Sequence, residues 1–132
     1  MSTPSLHEFS VSSDSLWVYK DGRCLFTSSK GGILPLLEYI ETLAPYHRQI
    51  IIFDKVVGNA AALLSVKAAA KEVYSPLGSE LALKTLCKYD IKYNLSETVP
   101  YIQNRDRDGI CPMEKLSIDK SPEEFFELAR KQ

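Results

Sequence analysis

With 132 residues the chain falls in the size range of one domain and can bury a sizeable core, so a second independent domain is not expected. Sixteen Lys and Arg against 17 Asp and Glu give a formal charge of -1, which provides no global field to draw the chain to nucleic acid or to an anionic membrane. No apolar run approaches the roughly 20 residues that span a bilayer, the start MSTPSLHEFS lacks the basic and apolar parts of a secretory signal, and Cys24, Cys87 and Cys111 are odd in number and far apart; together these predict a cytoplasmic protein with free thiols.

Residues 1–14 carry Ser, Thr and Pro without sustained periodicity and read as a flexible or loosely packed arm ahead of a single domain over 15–132. SLWVYK at 15–20 is a strand, Asp21 and Gly22 form a turn of the type that favours positive φ, and RCLFTS is its antiparallel partner. ILPLLEYIETL places Ile33, Leu36, Leu37, Ile40 and Leu43 at helical spacing, with Pro35 tolerable only in the first turn. QIIIFDKVV at 49–57 has the continuous apolar centre of a strand covered on both faces. An alanine-rich helix over 59–70 follows, then the strand KEVYS, and then a helix over about 79–88 with Leu81, Leu83, Leu86 and Cys87 mainly on one side. A short strand at 91–94 and a second around 98–102 lead to SPEEFFELARKQ, where Ser121, Pro122 and Glu124 spell a capping box. The alternation predicts an α/β fold with a mixed sheet and helices on both faces.

Four stretches could carry chemistry. In RDRDGICPMEK, Cys111 takes the N-cap of a helix that Pro112 opens and Glu114 joins in the first turn. A thiol there is either a cap or core contact, or a reactive group helped by the helix end and by Arg105 and Arg107, and opposed by Asp106, Asp108 and Glu114. DKVVGN at 54–59 runs from a strand end into a helix, which puts Asp54, Lys55, Gly58 and Asn59 where open α/β sheets bind ligands. SPLGSE at 75–80 is a second such junction, where Gly78 and Ser79 offer donors to an anion or serve only as turn and cap. NRDRDG offers Asn104 and Arg105 to a polar ligand, or is a solvated loop. His7 and His47 are isolated from each other and from the cysteines, and no cysteine pair has zinc spacing, so neither a metal nor another cofactor is expected.

Through DKVVGNAAALL, SPLGSELAL and NRDRDGICPMEKL, residues 15–116 resemble the uncharacterised domain-of-unknown-function 1893 family of prokaryotic proteins, placed by fold among the cytidine-deaminase-like proteins. That resemblance implies a three-layer α/β/α domain with a mixed sheet and no assigned reaction. A zinc deaminase would carry a His or Cys ligand and a catalytic Glu where this chain has Gly58, Asn59, Ala60 and Ala61, and paired Cys ligands where it has Ser75 to Glu80. Zinc-dependent deamination is therefore not expected.

Two functions compete. One is a domain that binds a small polar ligand, or regulates through it, using Asp54, Lys55, Gly58, Asn59, Ser79, Asn104 and Arg105. The other is a metal-independent enzyme with Cys111 as nucleophile or redox centre, in which Asp54 or Glu114 assists protonation or orientation. Self-association through the last helix or a sheet edge is a third reading that sequence does not separate from an intramolecular core.

Overall fold

The computed structural model describes residues 2–131. Over these residues six α-helices and six strands alternate as α1 (Leu6–Ser10), β1 (Leu16–Lys20), β2 (Arg23–Ser28), α2 (Leu34–Thr42), β3 (Ile50–Asp54), β4 (Val56–Val57), α3 (Asn59–Lys67), β5 (Ala70–Ser79), α4 (Glu80–Lys88), β6 (Lys92–Val99), α5 (Pro112–Ser117) and α6 (Pro122–Arg130). The β1–β2 hairpin turns on Asp21 at φ 50 and Gly22 at φ 79, the left-handed pair that a tight hairpin demands. β1 also pairs antiparallel with β3, and β3, β5 and β6 are mutually parallel neighbours, so the sheet is mixed.

β3 and β4 are one path along β5. Phe53 opposes Tyr74 and Val56 opposes Leu77, so the register is unbroken across the interruption at Lys55. There the Lys55 N–H donates to the Ser15 carbonyl at 3.1 Å, which carries the pairing with β1 one residue past the end of β3.

Alternation in the strands sorts the core. Ile50, Ile52 and Val73 face the helices, where the buried Ala60, Ala61 and Ala62 let α3 lie close to the sheet. Ile51 and Phe53 face the other way, beneath Phe9 of α1, whose ring is 5.1 Å from Trp17 and 5.8 Å from Phe53.

Several expectations are corrected. The arm expected to be loose contains α1, held by a Ser5–Glu8 capping box and anchored by Phe9, which is 0% exposed. The helices at 34–42, 59–67 and 80–88 do not divide between two faces: α2, α4, α5 and α6 all pack around α3 in one layer, and α1 alone covers the other face. The reason is topological, since β3 to β5 to β6 steps across the sheet in one direction and right-handed crossovers then place α3 and α4 on the same side. α3 ends at Lys67 rather than 70, because Ala69 at φ 63 turns the chain into β5. β5 does not stop at Ser75. It runs through Pro76, which has no partner in the β5–β6 register, to Ser79. The two short strands expected beyond Ile91 are the single strand β6.

Candidate functional site

Beside the end of β3, with Lys55 in its lining, lies a pocket of about 290 Å³. Its walls are largely backbone and apolar side chains, among them Gly31, Gly32, Ile33, Ala61, Ile102 and Met113, and its polar groups include Ser15, Asp54, Cys111 and Glu114. The position, beyond the carboxyl ends of parallel strands, is where α/β sheets generally place ligands.

Asp54 is the last residue of β3 and only 9% exposed. Burial pushes its carboxyl up from the usual carboxylate range to about 7, against the pull of the Val56 and Lys55 N–H groups. Among the described residues no cation compensates it. The Lys55 ammonium turns to the opposite side of the sheet, donating to the Ser12 carbonyl at 2.7 Å and the Asp14 carbonyl at 2.5 Å and lying 4.7 Å from the Phe9 ring centroid. Lys55 thus ties strand to arm through its ammonium, while the residue itself still lines the pocket.

Glu114 is 2% exposed and fully engaged. Its Oε1 accepts from the Asn59 N–H at 2.5 Å and from the Ser79 hydroxyl at 3.2 Å, and its Oε2 accepts from the Ile102 N–H. One carboxyl therefore staples the start of α3, the cap of α4 and the segment after β6 to α5. A Cβ on Gly58 would stand 2.9 Å from Glu114 Oε1 and 3.0 Å from Ile102 Cγ1, so the staple needs glycine there. This arrangement gives structural roles to two expected ligand contacts and to one expected catalytic group. Asn59 donates its side-chain amide to the Ser117 carbonyl and hydroxyl at 3.1 and 3.0 Å and accepts from the Thr85 hydroxyl; Ser79 accepts from the Ala82 N–H at 3.0 Å as N-cap; and Glu114 is a structural acceptor rather than a free proton carrier.

Cys111 is the N-cap residue of α5, half-buried, with no side-chain capping bond, and it lines the pocket together with Asp54. Cys24 and Cys87 are exposed, which differs from the packed positions their strand and helix contexts suggest. Asn104 exchanges side-chain bonds with Asp108 inside its own turn at 2.8 and 3.2 Å, and Arg105 is exposed and outside the pocket lining. Of the expected site residues, then, Asp54, Lys55, Gly58, Cys111 and Glu114 line the cavity, Lys55 with its ammonium turned away from it, while Asn59, Ser79, Asn104 and Arg105 do not. Sequence reading missed Ser15, Gly31, Gly32, Ile33 and Met113, and only the SSKGG break ahead of α2 signals any of them.

The donor set does not fit the zinc ion of a deaminase. The start of α3 and the β5–α4 junction supply Asn59, Ala60, Gly78 and Ser79, and among the described residues no group of three or more His, Cys, Asp or Glu is placed to hold a metal. Between those two segments lies the Glu114 carboxyl, taking their N–H and O–H donors.

The family described as a domain of unknown function, DUF1893, matches residues 6–131. The chain belongs to the DUF1893 family. Among solved structures, a DUF1893 protein from Thermotoga maritima, determined by crystallography at 2.70 Å, shares 28% identity over 96% of this chain and 85% of its own, with a TM-score of 0.85. No curated protein matches the chain. The DUF1893 match begins at Leu6, so it includes α1 and the Phe9 anchor as part of the family's extent. In the described DUF1893 residues no helix is long and apolar enough to cross a membrane.

Proposed function

We propose that this DUF1893 chain is a small-molecule-binding domain on a cytidine-deaminase-like fold without its zinc centre, and that Asp54 recognises a hydrogen-bond-donating or cationic group of the ligand. One observation carries the reading: a buried acidic side chain without a nearby cation opens into an apolar pocket of about 290 Å³, close to the lower size limit of ligand sites. Desolvation of Asp54 costs free energy that no protein cation recovers, and an ammonium or N–H donor entering the pocket supplies the missing partner. Glu114, which also lines the pocket, is the less available carboxyl, because both its oxygens already accept from the protein.

Benzylamine tests this, as an apolar body with one ammonium. Its affinity, measured by calorimetry, should rise as pH increases through about 7, where Asp54 ionises while the amine stays charged, and Asp54→Asn should abolish both the binding and its pH dependence. Binding of equal strength in Asp54→Asn would remove Asp54 from the recognition role. A thiol-based, metal-independent activity is the second reading, favoured by Cys111 and Asp54 sharing the pocket wall. It requires iodoacetamide to label Cys111 in the folded protein and benzylamine to protect it; labelling confined to the exposed Cys24 and Cys87 rejects it.

A further inference from the structure

We propose that the ligand extends beyond the Asp54 pocket, across the rim formed by Val56 and Ile102, and ends in an anionic group held by Arg107. The inference rests on the pocket reading above and adds the class of ligand: an elongated molecule with an amine or amide donor at one end and a carboxylate or phosphate at the other. A second cavity of about 440 Å³ lies against the first, and Val56 and Ile102 wall both. Its remaining lining is Leu77, Val99, Pro100, Tyr101, Gln103, Asn104 and Arg107, so it holds one fixed positive charge and no acid.

Three independent features point to an occupant. Val56 is 42% and Tyr101 41% exposed, two of the six large hydrophobic side chains left open among the described residues, and both border this groove. The Arg107 guanidinium makes no ion pair or hydrogen bond among the described residues, while the neighbouring Asp108 is already bonded to Asn104. The turn that presents Arg107 is braced at its base, since Gln103 bridges Ile110, the Asn104 N–H donates to Gly109 at 2.9 Å and the Cys111 N–H donates to Ile102 at 2.8 Å. The same turn therefore delivers Cys111 to the first cavity and Arg107 to the second. An acid at one end and a base at the other, joined by apolar walls, is complementary to a ligand of the opposite polarity.

The experiment is calorimetric titration of the full chain at pH 8 with hexylamine, hexanoate, and terminal-amine aminobutanoate, aminohexanoate and aminooctanoate, alongside aminoalkyl phosphates of the same lengths. At one chain length the two-headed probe should bind at least tenfold more tightly than hexylamine, the carboxylate and phosphate arms deciding which anion Arg107 prefers. Arg107→Ala should bring that probe back to the level of hexylamine. If hexylamine binds through Asp54 but no two-headed probe gains, or if the gain survives Arg107→Ala, the extension is overturned and the Asp54 pocket stands. Failure of every amine to bind overturns both.

Discussion

Asp54 illustrates how one buried side chain sets a pH dependence. An ordinary Asp ionises near 3.8, whereas in the folded chain burial holds the proton up to about 7. Between those values the folded state binds more protons than the unfolded one, so the contribution of Asp54 to stability is full below about 3.8, falls as pH rises through the window, and levels off above about 7. Asp54→Asn removes this loss while keeping an acceptor for the Val56 and Lys55 N–H groups. It should therefore stabilise the protein at pH 8 by on the order of 1–3 kcal/mol and by much less at pH 4.5, measured by urea unfolding of both forms. An equal difference at the two pH values contradicts the assignment. Sequence placed Asp54 in the right neighbourhood, because a strand end is visible in IIIFD, but it did not reveal that Lys55 leaves it uncompensated. The partners of Lys55, at Ser12 and Asp14, are 43 and 41 residues away.

At the scale of elements, the Glu114 staple explains how α5 registers against α3 and α4. Glu114→Ala leaves the Asn59 and Ile102 N–H groups buried without their acceptor and should cost about 3 kcal/mol or more. Gly58→Ala drives a methyl against the same carboxyl and should cost about 1–3 kcal/mol. The two costs should not add, since removing the carboxyl clears two of the three nearest atoms the new methyl meets and leaves Ile102 Cγ1; a strictly additive double-mutant cycle would show that the staple is not what excludes a side chain at Gly58. The capping signal of CPME was legible because caps are local. The expected catalytic duty of Glu114 was not, because its donors come from three other segments. Elements bounded by local signals, such as the Asp21–Gly22 hairpin and the capped α6, read correctly, whereas β5 was cut short because Pro76 and Gly78 look like a turn. Only the pairing of Leu77 and Gly78 with both β4 and β6 shows that the strand continues. A Cβ at Gly78 would meet Leu95 Cδ1 at 2.6 Å, so any side chain there requires Leu95 to move. The N-terminal helix is the remaining element that composition disguised: five residues are too few for periodicity to register, yet Phe9 fills the outer face of the sheet. Phe9→Ala should cost about 3–5 kcal/mol in chemical denaturation. A loss below about 1 kcal/mol would restore the picture of a loose arm.

For the whole molecule, the order of strands decides where function can sit. Because α3 and α4 cross on one face, the carboxyl ends of β3 and β5 open toward the α5 segment, and the chain after β6 folds back over them to bring Ile102, Cys111 and Met113 to the pocket. Much of the fold class was legible from the α/β alternation, and the family resemblance from three quoted motifs. The distribution of helices was not, since nothing local in sequence encodes whether successive parallel strands advance in one direction or reverse. The pocket was half legible for the same reason: Asp54, Gly58 and Cys111 lie at element ends that punctuation marks, while the rest of its wall is glycine backbone and apolar side chains with no chemical signature. The central claim, that Asp54 is a buried carboxyl without a compensating cation, is tested most directly by titrating its side-chain carbon signal by NMR with and without benzylamine. The account predicts an inflection near pH 7 in the free protein that moves to lower pH when the ammonium binds. An inflection in the ordinary range near 4, or one near 7 that saturating benzylamine leaves in place, would contradict it.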